Sequence, residues 1–139
     1  MTFHDLPPHS RDLPLDDPTL RADLVDLVVS LEAREGGCLA LLLLDDDHVC
    51  TTPVLVEQMG VPDASQVHEV LRTFLGHLEV PAVVVAMGRQ GSGLFTDADR
   101  ACHQAVVEEC REHGITLLGT YLASDNHVRE MPDHLRMAS

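Results

Sequence analysis

The sequence predicts a three-layer α/β domain: a mixed sheet with helices packed on it, entered through an N-terminal helix and an antiparallel hairpin and completed by parallel crossovers. Three observations predict it. Apolar runs of strand length recur at Cys38–Leu44, Ala82–Ala86 and Ile115–Ala123, and runs without polar alternation mark strands covered on both faces. Segments with apolar residues at helical spacing separate them. A short acidic turn joins the first run to a Val- and Thr-rich segment, as in a hairpin.

Residues 1–16 read as a flexible arm, because Pro7, Pro8 and Pro14 interrupt any period. Asp17-Pro18 opens a helix with a carboxylate at the N-cap and proline at the first helical position. Leu20, Leu24, Leu27, Val28 and Leu31 then line one face until Gly36-Gly37 ends the run. Cys38–Leu44 is the first strand, Asp45-Asp46-Asp47-His48 the turn, and residues 49–56 the second strand. Pro53 predicts an edge strand or a bulge there. Ser65 is the expected cap of the next helix, with Val67, Val70, Leu71, Phe74, Leu75 and Leu78 facing inward. Ala82–Ala86 follows as the most buried strand. Thr96 begins a third helix with Ala101, Cys102, Ala105, Val106 and Cys110 inward, closed by Gly114. A last strand over 115–123 leads to a turn and a tail at 131–139, so one α/β domain spans 17–130.

Composition narrows the function. The 139 residues suit one domain, 45% of them hydrophobic with no Trp, one Tyr and three Phe, so the core is aliphatic. Nine basic residues, all arginine, face 23 acidic ones for a net charge of −14. Nucleic-acid affinity rests on cations that displace counterions from phosphates, and no arginine patch occurs, so direct binding of DNA or RNA is excluded. The same charge repels anionic membranes, and the longest apolar run is too short to span a bilayer. Four cysteines without a CxxC pair, behind a polar N-terminus, fit free buried thiols in the cytoplasm.

From the hairpin onward, roughly Cys38 to Arg129, the element order resembles the JAB/MPN metalloprotease fold, most closely its RadC-type branch. Leu41-Leu42-Leu43-Leu44-Asp45 is similar to that family's first core strand and turn, and Val83-Val84-Val85-Ala86 to the strand that enters its metal site. Thr96-Asp97-Ala98-Asp99 resembles its S-x-x-D, and Gly114-Ile115-Thr116-Leu117-Leu118 the strand after the following helix. The resemblance implies a JAB/cytidine-deaminase-like fold. It also implies a zinc ion held by a His-x-His pair and the motif aspartate, with one position open for the attacking water. Here the stretch reads Ala86-Met87-Gly88-Arg89-Gln90. Aligned without a gap, the histidines become Ala86 and Gly88; with a one-residue deletion they become Met87 and Arg89. Only Asp99 survives, and one carboxylate does not hold zinc. No metal, cofactor or catalytic residue is therefore expected. Thr96, Asp97 and Asp99 also serve as a helix cap and its first-turn acids.

The remaining candidate is the loop Gly88-Arg89-Gln90-Gly91-Ser92-Gly93, between a buried strand and a helix start. There, glycine lets a ligand approach the backbone and unpaired N–H groups can meet an anion. Gly88, Arg89, Gly91, Ser92, Gly93, Thr96 and Asp99 make the ligand-binding set, set against a flexible βα loop that binds nothing. The loop matches neither G-x-G-x-x-G nor a P-loop. The acidic turn lacks the alternation of a calcium loop. His103 and His113 lie about 280° apart around their helix, and no nucleophile elbow is present. The expected function is a non-catalytic RadC/JAB-like domain binding a protein or a small ligand, with a protein partner or a homodimer in view. The alternatives are an enzyme working at the Gly88–Gly93 loop and a generic α/β adaptor unrelated to RadC.

Overall fold

The computed structural model describes residues 13–125 and 127–132. Its elements are α1 (Pro18–Val28), α2 (Leu31–Gly36), β1 (Cys38–Leu44), β2 (Cys50–Val56), α3 (Ala64–Leu75), β3 (Ala82–Gly88), α4 (Asp97–Glu112), β4 (Thr116–Ala123) and β5 (Val128–Glu130). The five strands form one mixed sheet in the order β2-β1-β3-β4-β5. β1 runs antiparallel to both β2 and β3, β3 is parallel to β4, and β4 is antiparallel to β5. The expected hairpin and the central place of the 82–86 strand are both present.

Side chains alternate across the sheet and divide the core. Leu39, Leu41, Leu43, Val83, Val85 and Met87 meet α3 and α4 on one face. Cys38, Ala40, Leu42, Leu44, Val84 and Ala86 meet α1 and α2 on the other. Every residue of β1 and β3 is buried, which is why their sequences show no polar alternation. Pro53 sits in β2, an edge strand, opposite Leu42, and the ladder shifts register at Leu43/Leu44.

Several expectations need correction. The helix expected over 17–36 is two helices, because Ser30 leaves helical geometry and caps α2 through a bond from the Ala33 N–H. Arg34 Nε donates to the Val29 carbonyl at 3.1 Å and satisfies the break. Leu31 consequently points to solvent. Asp63, not Ser65, caps α3, in a reciprocal box with Gln66. α3 stops at Leu75, which leaves Leu78 beyond it and exposed, and Ala101 on α4 is exposed as well. β5 was hidden in sequence by its three-residue length. The packed body also reaches past 17–130: Leu15, inside the expected arm, is buried and its N–H bonds the His48 carbonyl, and Met131 is buried with its N–H on the Thr120 carbonyl. The rest of the arm, 1–12, and the tail at 133–139 lie outside the described residues.

No helix among the described residues is long and apolar enough to cross a membrane. All four cysteines are free and buried.

Candidate functional site

Strand alternation decides how the Met87–Arg89 stretch is presented. Met87 packs in the α3–α4 layer, whereas Ala86 packs in the opposite layer. A side chain on Gly88 would run into Cys38 and Val29, again on the α1–α2 side. Arg89, two residues after Met87, returns to the α4 side and reaches Asp99. Of the two possible positions for a His-x-His pair, only 87 and 89 therefore face the motif carboxylate.

Arg89 does not face an open mouth. It is 8% exposed, and its guanidinium grips Asp99 with two bonds, Nε to Oδ1 at 2.9 Å and Nη2 to Oδ2 at 2.7 Å. Nη1 donates to the Gln90 and Ser92 carbonyls at 3.0 and 2.9 Å, and Nη2 to the Leu94 carbonyl at 3.0 Å. A guanidinium carries five N–H donors, and all five are spent. The expectation that Arg89 is a cation available to a ligand is thus replaced by a structural role: it ties the loop around its own charge. A bare βα loop exposes carbonyls with no ladder to join, and a fork-shaped donor satisfies several of them at once.

Asp99 is equally committed. Its Oδ2 also accepts the Thr96 N–H at 2.8 Å, while its own N–H bonds Thr96 Oγ1 at 3.1 Å, which closes a capping box. Burial alone would push the Asp99 carboxyl upward, but the bonds from Arg89 and from the Thr96 backbone overcome it and hold the group below its ordinary value. The same pair, against the cost of burial, keeps the Arg89 guanidinium above its own.

The other expected residues fall around this pair. Gly91 has φ +104°, a conformation that a side chain would strain. Ser92 Oγ accepts the Leu94 N–H at 3.0 Å. Gly93 lies against Ser124 and Arg129, and Arg129 Nη1 donates to the Gly93 carbonyl at 2.9 Å while stacking on Phe95. The loop is pinned from inside by Arg89 and from β5 by Arg129.

Zinc does not fit these residues. Met87 offers a buried thioether and Arg89 a cation, and both oxygens of Asp99 are already bonded to that cation. Among the described residues, no three His, Cys, Asp or Glu side chains converge as a metal site. An open groove of about 350 Å³ lies at the other end of the sheet, between Leu43, Asp45, Thr52, Leu78 and Val80.

Sequence reasoning missed two further buried arginines. Arg21 donates to the Tyr121 hydroxyl, to Glu130 and to the Leu15 and Asp16 carbonyls. Arg34 bonds the Val29 and Ser124 carbonyls and Asp26. Arg34 and Arg89 share one habit, a guanidinium that closes the backbone where a strand or helix ends, whereas Arg21 holds the segment that enters α1. An arginine in an otherwise apolar helical stripe was the available signal. Compared with known proteins, the chain matches no family model and no curated protein.

Proposed function

We propose that this chain is a non-catalytic RadC/JAB-like domain that works as a protein-binding module. The observation that carries the reading is the Arg89–Asp99 pair. In the family it resembles, a metal supplies positive charge between the strand-end residues and the helix aspartate. Here a guanidinium supplies that charge from position 89, where a histidine would stand if the alignment carries the one-residue deletion; aligned without a gap, the pair falls at Ala86 and Gly88, on the other face. The hairpin, the buried central strand, the Thr96–Asp99 helix start and the parallel crossover support the reading.

An internal cation of this kind keeps the frame while removing its chemistry. With both oxygens of Asp99 bonded to Arg89, that carboxylate is not free to ligate a metal. The loop that would admit a small ligand is filled by its own arginine, which favours a protein partner over a small molecule and disfavours an enzyme working at the Gly88–Gly93 loop.

Restoring the lost ligands tests the family reading. A Met87→His/Arg89→His variant places two imidazoles on the Asp99 face and removes the competing cation. It is expected to take up one zinc per chain, read by elemental analysis after dialysis, whereas Ala86→His/Gly88→His faces the wrong layer and gains none. A folded Met87→His/Arg89→His protein that binds no zinc would leave the generic α/β adaptor as the better reading.

A further inference from the structure

Val61 and Leu94 are each 71% exposed, more than any other large apolar residue among those described. They hold equivalent places. Val61 stands two residues before the Asp63 cap of α3, and Leu94 two residues before the Thr96 cap of α4. β2 and β3 both run antiparallel to β1, hence in the same direction. α3 leaves the end of β2 and α4 the end of β3, and the two helices pack together on one sheet face. Their capped starts therefore lie at the same end of the sheet, and Val61 and Leu94 both stand on that rim. Cys102 Sγ, in the second turn of α4, reaches the Pro62 carbonyl at 3.4 Å and ties that helix to the Val61 loop.

Both loops are held in place. The Val61 loop is anchored by the Met59 and Gly60 N–H groups on the Gly37 and Gly36 carbonyls and by Gln66 on the Met59 carbonyl. The Leu94 loop is wrapped on Arg89. Scattered exposed apolar residues are ordinary. A pair presented on two tied loops differs, because docking on it costs little ordering entropy. Exposed carboxylates lie within a few residues of these two loops, Glu57, Asp63 and Asp97, and the Asp125 N–H bonds the Gly91 carbonyl. Two arginines share this region, Arg100 paired with Asp97 and Arg129 donating to the Gly93 carbonyl while keeping its charge, so the four carboxylates still outnumber them.

We infer that the Val61–Leu94 rim is the docking surface for a protein segment that carries apolar anchors flanked by arginine or lysine. This rests on reading the domain as a binding module and names the partner's chemistry. The acidic surround attracts a basic segment and disfavours a second copy of a chain whose net charge is −14. It equally disfavours nucleic acid and anionic lipid.

The probe is a short synthetic amphipathic peptide of leucine and arginine, with its leucine–glutamate counterpart as control, mapped by amide chemical shifts. The basic peptide should shift residues 57–63 and 91–97, with an affinity that falls as salt rises. A Val61→Ser/Leu94→Ser variant should weaken it at least tenfold, while Leu31→Ser, an equally apolar exposed site in the α1–α2 layer, should change nothing. Shifts centred elsewhere, equal binding of the acidic peptide, or unaltered affinity in a folded double variant would each overturn the inference. Self-association that the double variant abolishes would do the same. This outcome is independent of the zinc-restoration result, so failure of the surface and failure of the family reading are told apart.

Discussion

Replacing Arg89 with alanine removes all five bonds of the guanidinium, but their losses differ in kind. The Gln90, Ser92 and Leu94 carbonyls are only partly buried, so water can replace the donor and each loses about 1 kcal/mol or less. Asp99 is 5% exposed and loses both bonds that neutralise its charge. Breaking a buried ion pair from one side costs about 3–5 kcal/mol, of a total stability of about 5–15 kcal/mol for a domain. The retained Thr96 N–H keeps the loss toward the lower figure. Urea unfolding of Arg89→Ala should therefore show a loss of about 3 kcal/mol or more, with Arg89→Lys intermediate, because an ammonium can meet Asp99 but not three carbonyls as well. The loss should depend on pH. Asp99 titrates below its ordinary value in the folded protein, so its contribution is complete above the unfolded carboxyl value and fades as pH falls through the lower, folded one. In the variant, burial is opposed only by the Thr96 bonds, and Asp99 takes up a proton earlier. The stability gap between the two proteins should thus narrow on acidification below about pH 4. A loss under about 1 kcal/mol, or a gap independent of pH, would refute the claim that Arg89 neutralises a buried carboxylate.

Further outcomes follow from Tyr121, the four cysteines and two glycines. Tyr121 is pushed up to about 12 by burial, with the Glu130 carboxylate adding to the effect and Arg21 opposing it. Its phenolate absorbance should stay flat through pH 10 in the folded protein, and the stability tied to this group should disappear between the ordinary tyrosine value and about 12. Tyr121→Phe leaves the Arg21 Nε–H without its partner and should cost about 1–3 kcal/mol in thermal or urea unfolding. Burial raises Cys38, Cys50 and Cys102 to about 11 and Cys110 to about 12, so all four thiols should resist an alkylating reagent at pH 8 until denaturant is added; one fast thiol would contradict the packing. Gly37 has φ +79°, and a side chain there would meet the Gly60 carbonyl backbone. Gly37→Ala should therefore be strongly destabilised, while Gly114→Ala, with φ +67° and open space around it, should lose only about 1 kcal/mol.

The sheet was legible because its signals are local and redundant. Unbroken apolar runs mark β1 and β3, and Pro53 marks the edge. The Asp45 turn carries its own bonds, with its carboxylate accepting the Asp47 and Val49 N–H groups. Helix caps were less legible, since Asp63, Ser65 and Ser30 are all competent caps and only tertiary packing chooses among them. The division of 17–36 depends on Arg34 reaching back to Val29 and across to Ser124, a contact that spans 90 residues of sequence. The candidate loop illustrates the same limit. Its glycines, its arginine and the Asp99 carboxylate were visible as a set, but one sequence does not reveal that the cation and the carboxylate satisfy each other. Charge types are readable from sequence, whereas their pairing is a property of the fold.

The central proposal, a RadC/JAB-like frame in which Arg89 stands in place of a metal, is tested most directly by the metal content of the unaltered protein. Purified without a chelator, loaded with excess zinc and dialysed against a weak chelator, it should retain far less than one zinc per chain. Retention of one zinc per chain, lost in Asp99→Asn, would contradict the account, because it would require Asp99 to leave Arg89 for a metal.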